Sequence, residues 1–108
     1  MPGSGTYAGQ NEKYCFYWVV RETGRDGTNG RVDIHASRLD IPGAKNISCT
    51  NVWYWQSSVA TKRTVDFNSQ NEGLIALSEK LGIDAEDWRA FSHGLHWIVA
   101  FGVRLTPI

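Results

Sequence analysis

The sequence predicts an α+β fold: one domain with a mostly antiparallel sheet of about five strands and two short helices inserted before the last strand. Three observations carry this. Two segments, Glu12–Glu22 and Leu95–Leu105, are apolar on both alternating faces, as central strands covered on both sides are. A Gly-rich hairpin signal, GRDGTNG, follows the first of them. A leucine stripe at helical spacing precedes the last.

The first strand is expected over Glu12–Glu22, with Tyr14, Phe16, Trp18 and Val20 on one face and Cys15, Tyr17 and Val19 on the other. Asp26-Gly27 and Asn29-Gly30 favour positive φ and place a hairpin loop over Gly24–Gly30. The return strand is Arg31–Ser37, with Val32, Ile34 and Ala36 towards the core and Arg31, Asp33 and His35 opposite. Pro42-Gly43 marks a turn. Further strands are expected over Asn51–Ser57 and Val59–Phe67. Ser69-Gln70-Asn71-Glu72 reads as a capping box, opening a helix to about Leu81 whose stripe is Leu74, Leu77 and Leu81. Gly82 suits the left-handed residue that ends it. Asp84 caps a second short helix through about Ser92, burying Trp88 and Phe91. The helices are expected to pack on one sheet face, which would cover the two-sided strands. Residues 1–10, small and Gly-rich, are set aside as a flexible arm or expression scar, leaving 11–108 as the domain. No signal peptide is legible at the start.

Composition narrows the function classes. The 108 residues carry 11 basic and 11 acidic side chains, so formal charge is zero. That disfavours nucleic acid, which requires phosphate neutralisation, and anionic membrane surfaces. No apolar run approaches the roughly 20 residues a spanning helix needs. Five Trp, four Tyr and four Phe are many for this length, and large rigid aromatics suit both cores and binding surfaces. A monomer is expected.

Six constellations bear on chemistry. Trp53 and Trp55 share one face of a strand and Tyr54 the other, so at least one large aromatic faces out and can stack on a sugar or anchor a partner, while packing of Trp53 and Trp55 in the core is the plainer reading. Arg31, Asp33 and His35 share a face. A carboxylate can orient an imidazole there, and an arginine can hold an anion, while a solvated strand face is the plainer reading. His93 and His96 complete the histidines, but they straddle Gly94 at a junction without regular geometry, and no metal site is expected. The Arg25, Asp26 and Asn29 loop offers a mobile contact surface rather than a calcium loop. Arg21, Arg25, Arg31, Lys62 and Arg63 make at most a modest basic patch. Nucleophilic catalysis by Cys15 or Cys49 is disfavoured because Cys15 sits among aromatics, where thiols are structural. No cofactor motif occurs.

The two cysteines, Cys15 and Cys49, fit either one disulfide or two buried thiols, and the bond is the expectation. Asn46-Ile47-Ser48 is a glycosylation sequon and fits an extracellular location. In type, though through no specific motif, the chain resembles small secreted fungal or microbial virulence proteins: short, aromatic-rich and β-dominated. The expected function is a secreted, effector-like or toxin-like binding protein that recognises a host protein or glycan through exposed aromatics. The alternatives are a small hydrolase or nuclease using His35, Asp33 and Arg31, and a cytosolic inhibitor or immunity-type protein with reduced cysteines.

Overall fold

Eight antiparallel strands follow one another around a closed barrel, each hydrogen-bonded to the next and the last to the first. The computed structural model describes residues 4–23, 29–59, 62–93 and 97–108. The strands are β1 (Gly5–Gln10), β2 (Tyr14–Glu22), β3 (Asn29–Arg38), β4 (Ile47–Val59), β5 (Lys62–Phe67), β6 (Arg89–His93), β7 (Trp97–Ala100) and β8 (Val103–Pro107). One helix, α1 (Glu72–Leu81), and a single 3-10 turn, Ala85–Asp87, lie between β5 and β6. The expected α+β sheet of five strands and two helices is therefore wrong. Closure gives each described strand a neighbour on both sides.

Three local features explain the error. The stretch Leu95–Leu105 is not one two-sided strand. β7 and β8 fold back on each other through Phe101 and Gly102, at φ 50° and 76°. Ile98 and Ala100 point inward before that turn, and Val103 and Leu105 after it. The two-residue turn shifts the alternation by one, so the linear sequence looks oily on both faces. In β2 the inner face is Tyr14, Phe16, Trp18 and Val20, all buried, while Tyr17 on the other face is exposed to solvent rather than covered by helices. Of the segment set aside as an arm, Gly5–Gln10 forms β1 and closes the barrel between β2 and β8.

The second expected helix shrinks to the 3-10 turn capped by Asp84, and Arg89–His93 becomes a strand. Trp88 is buried as expected, whereas Phe91 faces out. The helix α1 is found where its stripe placed it, with Leu74, Leu77 and Leu81 buried and Gly82 left-handed at its end. Its cap is Asn71, whose side chain accepts the Leu74 N–H at 3.0 Å, and not Ser69.

Small residues make room for large ones inside. Gly9, Gly30, Ala36, Ala90 and Ala100 line the barrel beside Phe16, Trp18, Tyr54 and Phe67. Eight strands enclose just enough space for side chains to fill. Trp88 seals the helix end: its ring meets Phe16, Trp18, Phe67 and Phe101 at centroid distances of 4.8–6.3 Å, and its Nε1–H donates to Ser78 Oγ at 2.7 Å.

The expected disulfide is absent. Both thiols are free. Cys15 lies on the outer side of β2, opposite Ser37, whereas Cys49 is buried on the inner side of β4, opposite Ile34. The barrel wall itself separates the two sulfurs. Burial pushes the Cys49 thiol up to about 11.

No described helix is long and apolar enough to cross a membrane. The outward positions of the strands include Arg21, Asp33, Asp66 and Arg89, joined in ion pairs, over an apolar interior. A bilayer-spanning barrel has the opposite arrangement, an apolar outer band around a polar lumen.

Candidate functional site: an aromatic face on the barrel wall

The outer side of β2, β3 and β4 gathers most of the residues that could do chemistry. Its layout depends on one bulge. Between β3 and β4 the register runs Val32 opposite Val52, then Ile34 opposite Cys49, so β4 carries one extra residue. Asn51 absorbs it at φ 61°, a conformation that asparagine tolerates better than most residues. The freed Asn51 N–H donates to Asp33 Oδ1 at 2.8 Å. The bulge resets the alternation of β4, so Cys49, Val52 and Tyr54 point in while Trp53 and Trp55 point out.

Trp55 is 44% exposed beside half-buried Trp53 on β4, while Tyr17, 43% exposed, lies on β2 at the level of His35, beyond the Arg21–Asp33 ion pair. The Arg31 guanidinium lies 4.2 Å from the centre of the Trp53 ring, a cation–π contact that orients both groups. Trp55 stands across from Asn29, Arg31 from Trp53, and Tyr17 from His35. The His35 ring meets Tyr17 edge-on at 5.7 Å. Beside that pair is a hollow of about 370 Å³ lined by Cys15, Tyr17, His35 and Asn46.

Asp33 is the electrostatic pivot of this face. It accepts two bonds from Arg21, at 2.8 and 3.0 Å, besides the Asn51 amide. The Arg21 guanidinium holds its carboxyl below the usual range. Three of its roughly four acceptor sites are so taken, no hydrogen bond joins it to His35 among the described residues, and Arg31 is engaged with Trp53 rather than with either neighbour. Arg31, Asp33 and His35 therefore share one face, as the alternation required, without forming an acid–base relay in a cleft.

The remaining expected site residues are scattered. Tyr54 is fully buried, with its hydroxyl over Gly30. The hydroxyl's pKa is raised well above the ordinary tyrosine value by burial, with Glu22 and Tyr7 adding to the effect. The Tyr54 Oη, Trp18 Nε1 and Ser92 Oγ are buried without hydrogen-bond partners among the described residues. Asn29 accepts the Thr23 hydroxyl at 2.9 Å. Asn46 is exposed in the loop before β4. Arg25, Asp26 and His96 lie outside the described residues, as does the side chain of His93. Among the described residues no three His, Cys, Asp or Glu side chains come together.

Tyr17 is the member of this face that sequence reasoning missed, and Arg21, expected only in a basic patch, instead pairs with Asp33. The signal for Tyr17 was present in the two-sided apolarity of β2, which marks either a covered strand or an exposed strip. No family model, no curated protein and no solved structure matches the chain, so its functional reading rests on its own residues.

Proposed function

We propose that this is a small recognition protein without a catalytic step, of the secreted effector type, which grips a protein or glycan partner through the outer face of β2–β4. The observation that carries the reading is the placement of Trp53, Trp55 and Tyr17 on the outside of one wall of the barrel, the last two substantially exposed. Planar aromatics held on a rigid sheet supply contact area at low entropic cost. Arg31, Asn29 and His35 between them supply directional polar contacts. The exposed sequon at Asn46 supports an extracellular location, and the tied-up Asp33 weighs against the hydrolase alternative.

The unbonded cysteines favour one second reading, a cytosolic inhibitor or immunity-type partner, because reduced thiols are the rule in that compartment. Both readings use the same face.

The test is binding to a panel of immobilised polysaccharides and glycoproteins by wild-type protein, Trp55→Ala and Tyr17→Ala. Each side chain projects outward, so both variants should unfold like the wild type. A loss of about 1–2 kcal/mol, or roughly tenfold, per substitution is expected. Partner binding that survives both substitutions at full strength would sink the proposal.

A further inference from the structure

A second hollow, of about 450 Å³, opens between the end of α1 and the loop joining β3 to β4. It meets the first only at Asn46, which lines both. Its walls combine two chemistries. Ile41, Ala44 and Ile47 supply apolar side chains in front of the buried Leu81, and Arg38, Lys45 and Lys80 complete the lining. The volume falls within the roughly 300–1,000 Å³ range of small-molecule sites.

Arg38 builds the hollow rather than filling it. Its Nε and Nη2 donate to the two oxygens of Asp40, at 2.7 and 2.8 Å, and its Nη1 donates to the Leu81 carbonyl at 2.8 Å. These bonds clamp the loop to the helix and fix the distance between them. They also leave Arg38 and Asp40 mutually neutralised. Lys45 and Lys80 are exposed and make no ion pair among the described residues.

A helix C-terminus ordinarily repels anions, by about 0.3–1 kcal/mol. Here three of the last four carbonyls are occupied: Glu79 O and Ser78 O accept the Gly82 and Ile83 amides, and Leu81 O accepts Arg38. With Arg38 paired to Asp40, the rim charges outside any described ion pair are those of the two lysines.

We infer that this hollow binds a free, monomeric carboxylic acid with an apolar tail, the tail on Ile41, Ala44 and Ile47 and the carboxylate between Lys45 and Lys80. A purely polar anion would leave the apolar side chains wet, and an uncharged hydrocarbon would leave the lysines unused. The site is independent of the aromatic face, and its failure would leave that proposal standing.

The experiment is titration calorimetry of the full chain with octanoate, octanol and acetate, repeated with Lys45→Ala/Lys80→Ala and with Ala44→Trp. Octanoate is expected to bind saturably with a dissociation constant in the range of roughly 1 mM or tighter, given its few non-hydrogen atoms. Acetate should bind far more weakly, and so should octanol. The double lysine variant should lose about five- to tenfold in octanoate affinity, and added salt should weaken the wild type in the same sense. Ala44→Trp, at an exposed loop position, should block the hollow without unfolding the barrel. Equal octanoate binding by wild type and the lysine variant overturns the inference. So does octanol binding as well as octanoate, or binding only to anionic vesicles and not to the monomeric acid.

Discussion

Replacing Gly9 by alanine probes the seam where the barrel closes. A Cβ built on Gly9 would stand 2.1 Å from the Arg104 carbonyl oxygen, 2.9 Å from its carbon and 3.2 Å from Leu105 Cα. Carbon and oxygen approach only to about 3.3 Å even in favourable backbone contacts, so β1 and β8 must separate by roughly 1 Å. Nothing yields easily, because every contacting atom belongs to the backbone. Overpacking of this kind costs about 1–3 kcal/mol. The seam is short, with Tyr7 opposite Pro107, Ala8 opposite Thr106, and the Ile108 amide on Thr6 O at 3.0 Å. Losing one or two of its hydrogen bonds adds about 0.5–1.5 kcal/mol each. The alanine restricts the unfolded chain and returns about 0.4–1 kcal/mol. The expected net loss is about 1.5–4 kcal/mol. Urea unfolding followed by tryptophan fluorescence should show a midpoint lower by roughly 1 M, with an unchanged slope. A midpoint equal to or above the wild type would refute the reasoning, because it would mean that β1 does not lie against β8.

Three further outcomes follow from particular side chains. Tyr54→Phe deletes a buried hydroxyl that has no partner among the described residues, so the barrel should gain about 0.5–1.5 kcal/mol of stability, and a loss of that size would mean the hydroxyl is bonded. Arg21 keeps the Asp33 pKa below its ordinary 3.8. The ion pair's contribution, at most about 1 kcal/mol at this exposed site, is therefore present above the unfolded pKa and disappears as pH falls through the lower folded value. Asp33→Asn should flatten that part of the acid unfolding curve, and an identical curve would contradict the pairing. Iodoacetamide at mildly alkaline pH should alkylate the half-buried Cys15 in the folded protein and reach Cys49 only after unfolding. A non-reduced mass two daltons short of two free thiols would contradict the placement of the cysteines on opposite sides of the wall.

Much of the molecule could be read locally. Strict alternation in Arg31–Ser37 placed Val32, Ile34 and Ala36 inside, and helical spacing placed Leu74, Leu77 and Leu81. What could not be read were the points where alternation changes phase. Phe101-Gly102 carries no standard hairpin signature, because a phenylalanine at positive φ is uncommon. The Asn51 bulge likewise inverts the alternation of β4 midway through a continuous strand. β1 was hidden for another reason. Its small residues and glycines carry little strand propensity, yet Gly9 is required where two backbones nearly touch. The aromatic face was half legible. Trp53 and Trp55 were correctly paired on one face, but the sequence could not say which side of a closed wall they would take. Tyr17 belonged with them only once the partner strands were known.

Closure sorts the described strand residues into inside or outside, and the proposed recognition face depends on Trp53 and Trp55 falling outside while Tyr54 falls within. The most direct measurement is the set of cross-strand proton NOEs between the chain's two ends in solution. The barrel predicts contacts from Ala8 to Thr106 and from Tyr7 to Pro107, together with slow exchange of the Ile108 amide bonded to Thr6. An ordered sheet spectrum lacking these contacts, with residues 5–10 free in solution, would contradict it.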